Sequence, residues 1–157
     1  MKIKVICIGK TTKLFLEDGE KEYLNRLKHY SPVEKIEIPD LKNVKKFTKD
    51  QIKVAEGKLL LSKVQAGEQI ILLDENGKTF SSVDFSKFIQ KRFNQGGKGI
   101  VFLIGGAYGF SEEVYAKAQG KISLSLMTFS HQMIRMLFFE QLYRAFTIIK
   151  GEPYHHQ

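Results

Sequence analysis

Residues 100–124 read IVFLIGGAYGFSEEVYAKAQGKISL. The apolar run Ile100–Ile104 has the length and composition of a strand buried on both faces. It passes directly into Gly105-Gly106-Ala107-Tyr108-Gly109. Ser111 then suits the N-cap of a short helix, with Glu112 and Glu113 favourably placed in its first turn. Lys121–Leu124 reads as a second strand. Strand, glycine turn, helix and strand form the repeating unit of a parallel α/β sheet. Strand ends feeding glycine-rich loops are where such sheets bind ligands. Glycines here serve either a positive-φ turn or close backbone approach to a ligand, and their place after a buried strand favours the second.

Outward from this unit the alternation continues. Residues 2–8 (KIKVICI) read as a strand, and 14–30 as an amphipathic helix that ends before Pro32. Val33–Pro39 alternates as a strand. A basic loop covers Asp40–Phe47, and Thr48 with Gln51 forms a capping box that opens a helix running to about Ala66. Gln69–Asp74 is an apolar strand, and Asn76-Gly77 reads as a turn. A helix from about Ser82 carries Phe85, Phe88, Ile89 and Phe93 on one face and stops at Gly96-Gly97. The last helix spans roughly Ser130–Lys150. The chain therefore reads as one α/β domain over residues 1–157, a mostly parallel sheet with helices on both faces.

The last helix is apolar nearly all round, from Met133 and Ile134 to Ile148 and Ile149. A helix covering one side of a sheet needs only one apolar stripe. The surplus predicts a second copy of the chain packed on this helix, a homodimer.

Composition narrows the class. With 43% hydrophobic and 27% charged residues the chain is of globular type, and no run approaches the ~20 apolar residues that span a bilayer. Cys7 is the only cysteine, which rules out an intrachain disulfide and argues against a cysteine zinc site. No secretory signal is expected, so the cytoplasm is the expected compartment. The net charge of +8 favours polyanionic partners. Lys42, Lys45, Lys46, Lys49 and Lys53 read first as a solvated face and second as phosphate contacts.

Several patterns fail on inspection. Gly9-Lys10-Thr11 and Gly77-Lys78-Thr79 imitate a P-loop, but the required earlier glycine is replaced by Lys4 and by Leu72. Gly105–Gly109 is GGxxG rather than GxGxxG, and SLSLMTF further on offers no acidic ribose ligand. His131, His155 and His156 are poorly spaced for one metal ion, so no metal is expected.

Taken as an ordered set, other motifs are more specific. They are Leu72-Leu73-Asp74, Leu103-Ile104-Gly105-Gly106, Leu124-Ser125-Leu126-Met127-Thr128-Phe129, His131, Arg135, Glu140–Ala145 and Pro153-Tyr154-His155. Over the whole chain they resemble the ribosomal RNA large subunit methyltransferase H family of the SPOUT superfamily. The resemblance implies a C-terminal deep trefoil knot, which nothing in the periodicity suggests. It implies S-adenosylmethionine held by Leu73, Gly105 and Leu124–Phe129 (Leu124, Ser125, Leu126, Met127, Thr128 and Phe129). It also implies a homodimer that methylates N3 of a pseudouridine in 23S rRNA, on the assembled ribosome.

The residue types suit that chemistry. A sulfonium methyl is already activated, so the protein must align the reacting atoms, which contributes roughly 7–11 kcal/mol. The imide N3–H must lose its proton, and His155 is the candidate base. Tyr154 is placed to stack on the base or bond its carbonyl. Arg135 and Arg144 are the candidates for stabilising the anion or holding phosphate. His156 is the second expected substrate-binding residue, a phosphate contact where the family usually has arginine or lysine, and Ser130 stands where it usually has proline. Two other readings remain open here: a SPOUT-like enzyme acting on another RNA such as tRNA, and a non-catalytic RNA-binding assembly protein.

Overall fold

A computed structural model describes residues 1–156. Five strands, β1 (Lys2–Ile8), β2 (Val33–Ile38), β3 (Glu68–Thr79), β4 (Gly99–Ile104) and β5 (Gly120–Ser123), alternate with helices α1 (Leu14–Leu27), α2 (Lys49–Ser62), α3 (Ser82–Asn94), α4 (Glu112–Lys117) and α5 (Met133–Ile149). Short 3₁₀ turns occupy Val44–Lys46 and Pro153–His155. Every strand pair is parallel, in the order β2-β1-β4-β3-β5.

The central strand shows why alternation is absent from its sequence. Ile100, Phe102 and Ile104 face one core, together with Phe85 and Ile89 of α3 and Phe138 and Phe139 of α5. Val101 and Leu103 face the other, with Leu60 of α2 and Val114 of α4. Both faces are covered, so every position of β4 is buried. The expected fold class, a parallel sheet with helices on both faces, is what the chain adopts.

One local expectation is corrected. Asn76-Gly77 is not a turn between elements but lies inside β3, which continues to Thr79 across an irregularity where both Leu73 and Lys78 pair with Ile122. Gly77 is required there by close approach. A Cβ added to it would lie 2.5 Å from the carbonyl carbon of Ile122 and 2.7 Å from its nitrogen. On α5, Phe138, Phe139, Leu142, Ala145 and Phe146 are buried between the sheet, α1 and α3, whereas Met133, Ile134, Met136, Leu137, Tyr143, Ile148 and Ile149 stay partly exposed.

A buried polar cluster ties α5 to the exit of β1. The Arg135 guanidinium donates to the carbonyls of Ile8 (2.6 Å) and Gly9 (2.9 Å) and to Thr11 Oγ1 (3.2 Å). Glu20 and Glu37 balance Arg135 and Lys35, with Lys35 Nζ 2.8 Å from Glu20 and 3.3 Å from Glu37. Gln132, at the N-terminus of α5, accepts from the backbone of Thr12 at 2.9 Å. The start of α5 is thus fixed against the 9–13 loop.

Candidate cofactor cleft and C-terminal tail

Because all five strands run the same way, their C-terminal ends share one edge of the sheet. The loops leaving β3, β4 and β5 there enclose a cleft of about 400 Å³, within the size range of small-molecule sites. Leu73, Gly105, Leu124, Ser125, Met127, Thr128 and Phe129 all line it. Leu126, grouped with them on sequence, does not; it is 93% exposed. Ile104 and Ile134 add apolar wall.

The loop geometry follows from local sequence. Gly109 holds φ +84°, and Gly106 and Gly109 form an isolated bridge that closes the glycine turn. Behind that turn a Cβ on Gly106 would sit 2.7 Å from Glu56 Oε2, so α2 backs the cleft directly. After β5, Ser123 Oγ donates to the Ser125 carbonyl (2.8 Å), and Ser125 Oγ accepts from the Met127 N–H (2.9 Å). These short-range bonds shape the 124–129 loop without a regular element.

The charge of the cleft opposes that of the chain. Asp74 and Glu75 line it, and no lysine or arginine does. Asp74 accepts from the Asn76 N–H at 2.8 Å and from the Tyr115 hydroxyl. Desolvation, then the bond to Asp74, pushes the Tyr115 phenol up to about 12, so it remains a donor near neutrality. Asp74 and Tyr115 were not singled out from sequence as site residues. The available signal was a carboxylate closing an apolar strand at its ligand-binding end.

The tail residues gather elsewhere, around Glu140 of α5. Arg144 Nε donates to Glu140 Oε1 at 3.1 Å and Tyr154 Oη donates to the same oxygen at 3.1 Å. The Arg144 guanidinium lies 4.8 Å from the Tyr154 ring centroid, and the Tyr143 and Tyr154 rings meet edge-on at 4.7 Å. Burial and the Glu140 charge raise the Tyr154 phenol well above its ordinary value. His155 Nδ1 is 3.2 Å from Arg144 Nη1. Tyr30 anchors the tail by donating to Glu152. His156 is exposed, with a left-handed φ of 53°.

None of Arg144, Tyr154, His155 and His156 lines the cleft of its own chain. Arg135 does not either, and its expected role is corrected: the guanidinium has no exposed surface and is spent on the β1 exit. The 122–125 segment and Phe129 also form one side of a second cleft of about 330 Å³, whose far wall includes Ser82, Gln141 and Glu140. Glu140 therefore links the tail cluster to the back of the 124–129 loop. Among the described residues no group of histidine, cysteine and acidic side chains could hold a metal ion, and no helix is long and apolar enough to cross a membrane.

A sequence model of the family described as "Predicted SPOUT methyltransferase" matches residues 1–155. The chain is 59% identical over 157 residues to a protein of Flavobacterium johnsoniae named ribosomal RNA large subunit methyltransferase H. It is 60% identical over the same length to the protein of that name from Christiangramia forsetii. In both cases all of each chain is covered. A probable methylase family protein from Haemophilus influenzae shares the fold at a TM-score of 0.54 and 12% identity, over 99% of this chain and 70% of that one.

Proposed function

The chain belongs to the SPOUT methyltransferase family, and on that premise we propose that it methylates 23S rRNA at N3 of a pseudouridine, on the assembled ribosome, with S-adenosylmethionine as methyl donor. Bound in the cleft, S-adenosylmethionine supplies a methyl group on a positively charged sulfur that leaves as a neutral thioether. The observation that carries this reading is a cleft bearing Asp74 and Glu75, with His131 but no lysine or arginine, in a protein of net charge +8. Two carboxylates favour a cationic ligand by direct Coulomb attraction.

The chain's own groups divide the remaining tasks. Leu73, Ile104, Leu124 and Phe129 offer apolar wall to a purine ring, and the backbone of Gly105–Gly109 and Leu124–Thr128 offers edge hydrogen bonds. Such a site aligns the reactants and needs no metal to activate the methyl. Arg144 and His155 present cationic and hydrogen-bonding groups to the anion that forms as N3 loses its proton. Tyr154 holds Arg144 against Glu140 and offers its ring to a base.

The reading includes a homodimer. Tail and cleft do not meet within one chain, so a partner's tail closing the cleft would unite them. Leu14, Phe15, Leu126 and Met127 are large apolar side chains left exposed for such a contact. It also includes knotted threading of the last third, as the family resemblance implies. Ribosomes place the enzyme in the cytoplasm.

The test incubates the protein and methyl-labelled S-adenosylmethionine with intact ribosomes, separated subunits and tRNA, then maps the label by nuclease digestion and mass spectrometry. Label on one pseudouridine of 23S rRNA is expected, strongest with intact ribosomes. Label confined to tRNA, or none with folded protein, overturns the reading.

A further inference from the structure

Residues 42–50 are all exposed, directly before and into α2. Within them Lys42, Lys45, Lys46 and Lys49 stand together, and none has an ion-pair partner among the described residues. Two apolar side chains are interleaved with these charges: Val44, and Phe47, which is 49% exposed. The segment is nevertheless well ordered by its backbone. Asn43 takes a left-handed φ of 59°, Phe47 N–H donates to the Val44 carbonyl at 3.0 Å, and the Thr48–Gln51 capping box is complete.

A rigid backbone that holds an unburied aromatic ring among unpaired ammonium groups does not serve the core. It fits a single-stranded or looped nucleic acid, whose bases stack on aromatic faces while phosphates meet lysines. Its location adds a second, independent argument. Lys49 Nζ lies 5.5 Å from the ring centroid of Tyr108, and Tyr108 is a 46% exposed member of the cleft's glycine loop. The basic segment therefore borders the mouth of the cofactor cleft.

Resting on the function proposed above, we infer that residues 42–49 and Tyr108 form an RNA platform that grips the strand flanking the target nucleotide. Lys42, Lys45, Lys46 and Lys49 neutralise consecutive phosphates, and Phe47 stacks on an unpaired base.

The test compares wild type with a Lys42→Gln, Lys45→Gln, Lys46→Gln, Lys49→Gln variant, with Phe47→Ala, with Phe47→Trp, and with a charge control, Lys87→Gln, Lys91→Gln, on α3. All these positions are exposed, and unchanged thermal midpoints and S-adenosylmethionine affinity establish that the fold and cleft are intact. The fourfold variant is expected to raise KM for ribosomes about tenfold or more at fixed salt. The slope of log affinity against log salt is expected to fall by about 3, at ~0.7 per phosphate contact with single strands. Phe47→Ala raises KM with the salt slope unchanged, Phe47→Trp restores it, and the α3 control changes little. Ultraviolet cross-linking through Phe47 is expected to capture rRNA. KM and salt slope that match the α3 control, or cross-links to ribosomal protein alone, overturn the platform. A wild-type protein that binds S-adenosylmethionine but labels no rRNA overturns the function instead, so the two failures are distinct.

Discussion

Arg144 donates to Nδ1 of His155 across 3.2 Å, which decides what the imidazole can do. A guanidinium has donors and no acceptor, so Nδ1 must carry its lone pair and the neutral ring's proton sits on Nε2. Both ring nitrogens are thereby committed, one as acceptor from Arg144 and the other as donor outward. The sequence suggested His155 as a base; this arrangement presents it as a hydrogen-bond donor, suited to an oxygen of the substrate anion.

His155→Gln is therefore expected to keep part of the activity, since its amide can still donate, whereas His155→Ala loses about 10²-fold in kcat, the scale for a removed anion-stabilising donor. Equal losses in the two variants would return His155 to the role of base. Nitrogen NMR of labelled imidazole checks the tautomer independently.

The hydroxyl of Tyr30 holds the tail through Glu152, while its ring stacks on Phe146 at 5.9 Å. Tyr30→Phe keeps the ring and removes only the anchor. Stability is expected to fall by about 1 kcal/mol or less, with S-adenosylmethionine affinity unchanged and methyl transfer reduced severalfold. Unchanged transfer would show that the tail needs no anchor.

Gly77→Ala forces a Cβ into the backbone of Ile122, which no rotamer change relieves. Overpacking of this kind costs roughly 1–3 kcal/mol or more. Cofactor binding should weaken as well, because Ile122 and Ser123 lead into the 124–129 loop. Denaturant titration and calorimetric titration read the two effects, and wild-type values in both would contradict the close approach.

Glu56 is buried behind the glycine loop, and its Oε1 has no hydrogen-bond partner. Desolvation, then the charge of Asp40, raises its carboxyl above the ordinary carboxylate value. The folded protein therefore holds this proton more tightly than the unfolded chain. Its favourable contribution is full in acid below the ordinary value and is lost as pH rises through the raised one. Glu56→Gln cannot ionise, so it should melt above wild type at pH 7 and lose that advantage near pH 4. Melting curves at the two pH values decide; equal differences at both would exclude a titration effect.

Arg135→Met removes the donors to the carbonyls of Ile8 and Gly9 while filling similar space. Each buried carbonyl left unpaired costs about 1–3 kcal/mol. A marked drop in the unfolding midpoint is expected, and S-adenosylmethionine binding should weaken through the displaced start of α5. A stable variant with intact binding but lost catalysis would restore Arg135 to the chemistry.

How far the sequence reaches is visible in these same residues. The strands are legible because doubly covered positions such as Ile100–Ile104 must all be apolar, and the capping box at Thr48 is where local bonding places it. The loops that line the cleft are legible from glycine spacing and from family resemblance. Asn76-Gly77 misleads because a glycine demanded by a distant backbone looks the same as one demanded by a turn. Arg135 carried an overlooked signal: it shares a helical face with Phe138, Phe139 and Leu142, all buried. Its carbonyl partners lie at the far end of the chain, and no local pattern reveals them. The apolar girth of α5 is divided between residues buried in its own chain, such as Phe138 and Leu142, and residues left partly exposed, such as Met133 and Leu137, a division that composition does not show.

The position of β4 also governs how the protein comes into being. It is the fourth strand to leave the ribosome, yet it pairs with both β1 and β3, Gly99 lying opposite Lys2 on one side and Glu68 on the other. Until β4 emerges, β1 with β2 and the isolated β3 are two pieces with no shared seam. An emerging chain thus carries β3 without a strand partner, and β1 with one edge open, until β4 is made. Chaperone dependence and loss to aggregation should concentrate in that interval and end with the arrival of the last third.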